Sequence, residues 1–387
     1  MRLGHDVKTI YFDYNATTPL DPAVKAAMLP FFDEVWGNPS SVHRIGQKAR
    51  SLLDDARDRV ASVFRSRPSE IIFTSGGTES NNLAIFGSAR LLRSKGRHLI
   101  TSQIEHHAVL HCFQYLERKE GFEVTYLPVN SEGFIDPSDL RNAIGPQTTF
   151  ASLMAANNET GTIQPVAELG KICRDRGVIF HTDAVQWFGK EPFANIQQFN
   201  ADLVSVCSHK FHGPKGAGAL FIRSPLLPDP ILFGGGHEND RRAGTENLPS
   251  IIGFTEAVEK FLSEPVFNRE KLTPFSSDLI QFIDSLEGVT FRGSRSSHLC
   301  NTVAFTVADA DSIALLAGLD MEGVCASSGS ACSAGSLEPS LVMLAMGVDP
   351  RSANSLVRFS FGRSTTLGEI SAAKNILPLV INRVRTH

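Results

Sequence analysis

Val178-Ile179-Phe180-His181-Thr182-Asp183, then Leu203-Val204-Ser205-Val206, then Ala219-Leu220-Phe221-Ile222 are the runs on which the fold turns. Each is short and apolar and is followed by polar or Gly/Pro residues, which marks a strand buried on both faces. Working outward, Ile71-Ile72-Phe73 leads through a Gly-Gly turn into a helical pattern carrying Leu83, Phe86 and Leu91. His98-Leu99-Ile100-Thr101, Val124-Thr125-Tyr126-Leu127 and Phe150-Ala151-Ser152-Leu153-Met154 continue the series. Strands alternating with helices over residues 65 to 225 imply an α/β fold with a mostly parallel, doubly wound sheet. Near residue 260 the pattern changes. A helical stretch around Phe261 to Leu286 precedes Gly288-Val289-Thr290-Phe291-Arg292 and Thr302-Val303-Ala304-Phe305-Thr306-Val307, which reads as a smaller α+β domain.

The bulk numbers bound the function. With 387 residues, two domains in one globular unit are expected. A formal charge of −4 argues against nucleic-acid binding, which calls for a basic face. No apolar run reaches the length of a membrane span. The first ten residues carry Arg2, His5, Asp6 and Lys8 and lack a signal-peptide core, so a cytoplasmic protein is expected. The six cysteines form no C-x-x-C pair, which argues against a zinc ribbon or a thioredoxin-type site. By default each is a small buried apolar residue. Cys332 is the exception, and Cys325 is expected to pack inside.

Lys210, in Ser208-His209-Lys210-Phe211-His212-Gly213-Pro214, follows a buried strand. A lysine at a strand end among apolar neighbours can lose part of its hydration, which favours the neutral nucleophile that forms a Schiff base. An isolated loop lysine is more often solvated, and Lys215 is read that way. Asp183 raises Lys210 above that default. It ends the preceding strand, where a carboxylate could keep a pyridine nitrogen protonated, although such an aspartate is more often a helix N-cap. Gln186 could reach a phenolic oxygen. Thr74-Ser75-Gly76-Gly77-Thr78-Glu79-Ser80-Asn81-Asn82 sits between a strand and a helix, where free N–H groups and the helix dipole attract a phosphate. Ordinary capping remains the alternative there. His106, at another strand end, could stack on a ring and shuttle a proton.

Taken in order, these segments resemble the cysteine desulfurases of the NifS/IscS kind, within the class V aminotransferase group of fold-type-I pyridoxal-phosphate enzymes. Further segments that carry the resemblance are Tyr11 to Pro19, Gly37 to His43, Asn157-Asn158-Glu159-Thr160-Gly161 and Arg242-Ala243-Gly244-Thr245-Glu246-Asn247. It implies a large domain over residues 15–260 with a seven-stranded type of sheet. The small α+β domain would comprise 1–14 and 261–387, with a catalytic loop at about 323–340. It implies pyridoxal 5'-phosphate as cofactor and L-cysteine as substrate. Lys210 resembles the Schiff-base lysine and Asp183 the partner of the pyridinium nitrogen. Gln186 and Asn158 look like ligands of the ring-oxygen region, with Asn158 also near the substrate. Gly77, Thr78 and His209 match phosphate positions. Thr245 matches a threonine that reaches the phosphate from a neighbouring subunit, which implies a homodimer. Arg358 matches the arginine that grips the substrate carboxylate, a bidentate task suited to a planar guanidinium.

One position departs from the family. Three residues before the lysine, where the family has a serine, stands Cys207, a weaker donor, so looser phosphate binding is expected. The small-residue segment Ala326 to Ser340 reads by itself equally as a linker or as a mobile loop with a thiol, Cys332. Beside such a site it looks like the family's sulfur-accepting loop. Cys332 would then carry a persulfide destined for an acceptor such as an iron–sulfur scaffold protein. Two rival readings are an aminotransferase or selenocysteine lyase on the same fold, and a silent scaffold for sulfur-transfer partners. The thiol loop speaks against the transaminase; the full set of Lys210, Asp183, Arg358 and Cys332 speaks against the scaffold.

Overall fold

The computed structural model describes residues 9–329 and 338–385. Its centre is a seven-stranded sheet in the order Ile71–Thr74, Gly218–Ile222, Leu203–Cys207, Ile179–Asp183, Thr148–Ser152, His98–Ser102, Glu123–Leu127. The pairings from Leu203–Cys207 onward to Glu123–Leu127 are parallel. Gly218–Ile222 runs antiparallel to both of its neighbours and places Ile71–Thr74 at the edge. The sheet is therefore mostly parallel, as the strand–helix alternation predicts.

Successive strand residues serve opposite faces. Ile72, Leu99, Phe150, Leu203 and Leu220 pack with Leu83, Val109 and Phe113 from the helices Gly77–Leu92 and His107–Glu120. Phe73, Ile100, Ala151, Val204 and Phe221 join the other core, with Leu53 and Val60 of Arg44–Phe64 and Phe254 and Val258 of Leu248–Phe261. This two-residue period, with both faces covered by helices, explains the continuous apolar runs.

A separate apolar core lies beyond residue 266. An antiparallel three-stranded sheet, Val357–Ser360, Thr302–Val307, Val289–Arg292, packs on the helices Arg269–Asp284 and Leu367–Arg385. The N-terminal segment belongs to this core. Ile10–Tyr11 pairs in parallel with Val324–Cys325, and Phe12 stacks edge-on against Phe361 with ring centroids 4.9 Å apart. One expectation needs correcting: the stretch from Phe261 to Leu286 is two helices, Leu248–Phe261 and Arg269–Asp284. Pro265 falls in the break, and the Asn268 side chain accepts from Lys271 N to start the second helix.

Candidate active site

The parallel strands deliver side chains to their carboxyl ends, where ligands bind in open α/β sheets. Asp183 and Cys207 are the last residues of their strands. After Cys207 the chain makes one turn of 3-10 helix, Ser208–Lys210. Ser208 Oγ fixes that turn by donating to the carbonyls of Pro214 at 2.6 Å and Ala217 at 3.0 Å. Lys210 Nζ then donates to the main-chain carbonyls of Asn15, 2.7 Å, and Ala16, 2.8 Å. Burial pulls its amine down to about 8, with Arg358 adding to the effect and Cys207, Asp13 and Asp183 opposing it.

Asp183 is held on both oxygens. Oδ1 accepts from Val185 N at 2.9 Å and Oδ2 from Asn81 Nδ2 at 2.7 Å. His106 caps the helix His107–Glu120, its Nδ1 accepting from Ala108 N at 3.1 Å. That bond leaves the proton of the neutral ring on Nε2. Burial pulls the imidazole below the usual histidine range, Asp183 opposing and Lys210 adding to it. His209 is pulled down to about 3, by burial and then by Lys210, and its Nδ1 lies 3.1 Å from Thr17 Oγ1.

Arg358 comes from the strand Val357–Ser360 of the antiparallel three-stranded sheet and is buried. Its Nη1 donates to Asn158 O and its Nη2 to Asp13 Oδ1, both at 2.7 Å. Its Nε has no partner among the described residues. Asn158 sits in a turn organised by Asn157, whose Oδ1 accepts from the main-chain N–H groups of Glu159 and Thr160 at 2.9 Å.

Gly77, Thr78, His106, Asn158, Asp183, Gln186, Cys207, His209, Lys210 and Arg358 all line one cavity of about 220 Å³. Thr245 does not: it is exposed and lies outside that lining. Cys332 lies outside the described residues. Ser328 on one side of it, and Glu338 and Ser340 on the other, line an adjoining cavity of about 340 Å³ that shares His106 and Asn158 with the first.

The cavity fits a phosphorylated pyridine. The helix Gly77–Leu92 begins at Gly76, φ +148°, a conformation open to glycine, and has no side-chain cap. The Gly77 N–H points at the Cys207 sulfur, and those of Thr78 and Glu79 are thus left for an anion beside Cys207 and His209. A fixed carboxylate, Asp183, stands in the same wall, and Asn81 Oδ1 is buried without a partner among the described residues.

Of the other thiols, Cys112, Cys173, Cys207 and Cys300 are buried as expected, and burial pushes Cys112 and Cys173 up to about 12 and Cys300 to about 11. Cys325 departs from expectation: it is half-buried, on a two-residue strand against Tyr11. Asn15, Asn81 and Lys190 are cavity residues, or touch them, to which the sequence assigned no role. Asn15 and Asn81 lie in segments of the family resemblance, and Lys190 follows Asp183 and Gln186 in the same turn, which was the available signal.

The fold and this wall of residues define a class-V aminotransferase, and the model of that family matches residues 10–372, so the chain belongs to it. Within the family it falls among the cysteine desulfurases. It is 46% identical over 380 residues to cysteine desulfurase IscS of Dictyoglomus turgidum, covering 98% of this chain and 96% of that one. It is 42% identical over 381 residues to cysteine desulfurase IscS of Clostridium botulinum, covering 98% and 96%. A solved NifS-like protein superposes with a TM-score of 0.89 at 35% identity, over 98% of this chain and 100% of that one.

Proposed function

We propose that this cysteine desulfurase binds pyridoxal 5'-phosphate in the 220 Å³ cavity and moves the sulfur of L-cysteine onto Cys332, releasing L-alanine. The observation that carries the reading is the convergence of Lys210, Asp183 and Arg358, from three elements and both larger sheets, on a cavity that also holds an uncapped helix start. Bound there, the cofactor supplies a sink for the electrons of the substrate Cα.

The residues divide the remaining work. Gly77, Thr78 and His209 hold the phosphate, with Cys207 beside them. Asp183, steadied by Asn81 and Val185 N, keeps a proton on the ring nitrogen, and Gln186 and Asn158 serve the ring-oxygen region. Arg358 takes the substrate carboxylate through its free N–H groups. Burial lowers the pKa of the Lys210 amine and so favours its neutral form, which removes the Cα proton. His106 holds or moves a proton at Nε2. The Cys332 thiolate attacks the substrate sulfur: an S–S bond forms and the C–S bond breaks, its electron pair staying with the carbon, which takes up a proton to become the methyl group of alanine. The persulfide passes to an acceptor such as an iron–sulfur scaffold protein.

The same reading makes the chain a cytoplasmic homodimer. It also divides the chain into a large domain, 15–260, and a small one, 1–14 with 261–387, a division supported by the separate apolar core that Ile10 and Phe12 share with residues beyond 266. No helix of the described residues is long and apolar enough to cross a membrane. The test is alanine and sulfide release from L-cysteine plus reductant, by the cofactor-loaded protein and its Cys332→Ala variant. The variant is expected to bind cofactor as wild type does and to lose turnover. Full turnover in the variant would refute the assignment of Cys332.

A further inference from the structure

Below the cavity floor lies Lys190, 1% exposed, the one lysine among the described residues that is buried from solvent. It stands in the turn that follows Asp183. Trp187 N and Phe188 N bond back to Ala184 O, and Gly189, φ +74°, packs so closely on Phe211 that a side chain would collide. The chain is thereby turned so that Lys190 points back under Gln186. Its Nζ donates to Gln186 Oε1 at 2.5 Å and to Asn15 Oδ1 at 2.6 Å, and sits 5.3 Å from the centre of the Phe267 ring.

An ammonium or amine in that place donates to both amide oxygens and so decides how both amides face. With Oε1 drawn down, the Gln186 NH2 is turned up and donates to Asn15 O at 2.9 Å, the same carbonyl that accepts from Lys210 Nζ. With Oδ1 drawn down, and also accepting from Asn301 Nδ2 at 3.1 Å, Asn15 turns its own NH2 to Thr302 Oγ1 at 2.9 Å. Asn15 is thus fixed at both its side chain and its carbonyl.

We propose that Lys190 is a positioning residue of the desulfurase: through Gln186 and Asn15 it sets the amide that faces the cofactor ring and the carbonyl that holds the Lys210 amine. The inference rests on the cavity being the cofactor site. No carboxylate among the described residues forms an ion pair with Lys190. Lys210 and Arg358 face it from the cavity side and disfavour its charge, while Cys300 and the adjacent Glu191 favour it, and burial holds its pKa well below the ordinary lysine value. A costly buried amine is kept where an apolar residue would leave Gln186 Oε1 unpaired and Asn15 Oδ1 held by Asn301 alone.

The experiment uses the cofactor-loaded protein, with Lys190→Met, Gln186→Leu and the double variant, each checked for native circular dichroism. The readouts are the pH midpoint of the visible absorbance of bound pyridoxal phosphate and kcat/KM. Lys190→Met is expected to move the midpoint by about half a pH unit or more, roughly threefold in the protonation equilibrium. It should move it little in the Gln186→Leu background, because the two act in one chain of contacts. Lys190→Arg, a side chain that only donates, should return the midpoint towards wild type. If Lys190→Met does not fold, Lys190→Leu, which likewise removes the donor, takes its place in the same cycle. An unmoved midpoint in a folded variant, or shifts that simply add, would overturn the Lys190 assignment alone. Wild-type protein that binds no pyridoxal phosphate would overturn the reading of the cavity, and this inference with it.

Discussion

Glu105, in the wall of the adjoining cavity, has one bonded oxygen and one bare one. Oε1 accepts from Ser102 Oγ at 2.6 Å and Met154 N at 2.9 Å, while Oε2 is buried without a partner among the described residues. Burial pushes the carboxyl up to about 8, those two hydrogen bonds opposing it and Asp183 adding to it. Below about pH 4.5 the folded and unfolded carboxyls are both protonated. Between 4.5 and 8 only the unfolded one ionises, so the folded state holds more protons and loses about 1.4 kcal/mol of stability per pH unit. Above 8 the loss is complete. Glu105→Gln keeps the accepting oxygen and removes the titration, so its melting temperature should gain on wild type from pH 5 to pH 8; parallel curves would contradict this. Cys207 poses a different case. Burial raises its thiol pKa, and the N–H groups of Gly77 and His209 point at its sulfur rather than at a harder acceptor. Cys207→Ser supplies a stronger donor beside the same N–H groups, worth ~1 kcal/mol, so titration should show pyridoxal phosphate binding about fivefold tighter. Unchanged affinity would show that this position does not reach the phosphate. Lys210 and Asp183 were legible because each ends or follows a strongly patterned strand. Asn15 and Lys190 were not, since their roles consist of contacts between segments remote in sequence.

The strands were the most readable elements, because burial on both faces leaves unbroken apolar runs; Thr302–Val307 was read to the residue. What the runs could not show was that Gly218–Ile222 reverses direction and carries Ile71–Thr74 to the sheet edge, since a run of apolar residues looks the same in either direction. The helix break at residues 262–268 was missed because both flanking helices keep an apolar face. The strained turn before Arg242 was also out of reach. Glu238, Asn239 and Asp240 lie consecutively in the left-handed region, with φ of 50°, 55° and 62°. Arg57 holds the run in place by a bidentate bond to the buried Glu238, at 2.6 and 2.8 Å, and Phe73 N donates to the same carboxylate. Asp240 is exposed, and its conformation costs roughly 1–2 kcal/mol for a side-chain residue. Glycine returns roughly 0.5–1 kcal/mol of that as added unfolded-state freedom. Asp240→Gly should therefore stabilise the protein by about 0.5–1 kcal/mol in chemical denaturation with the slope unchanged, and a loss of stability would mean that the aspartate is making a contact.

At the scale of the molecule, one chain leaves two things unfinished. Trp36, Val42 and Phe233 are 67%, 89% and 83% exposed, large apolar side chains of the kind that a partner surface covers. Thr245 is exposed, outside its own chain's cavity, on a segment tied down by Arg242, whose Nε bonds Glu79 Oε1 at 2.8 Å in the first turn of the helix Gly77–Leu92. A two-fold dimer would cover the first and, as the resemblance implies, bring the second to the partner's phosphate site. Complementation tests this directly. Thr245→Ala and Lys210→Ala chains, each carrying a different tag, are co-expressed and the mixed dimer is isolated with both tags. Each parent dimer lacks the same group at both of its sites. In the mixed dimer, the site built on the Thr245→Ala chain has its own Lys210 and receives Thr245 from the other chain, while the second site lacks both. The hybrid should recover about half the wild-type activity at limiting cofactor, whereas Lys210→Ala dimers stay inactive and Thr245→Ala dimers remain well below the hybrid. If Thr245 served its own chain, the hybrid would hold one site without threonine and one without lysine, and would show half the activity of the Thr245→Ala parent. Recovery above that parent therefore assigns Thr245 to the neighbouring site, and its absence removes the structural reason for a shared active site.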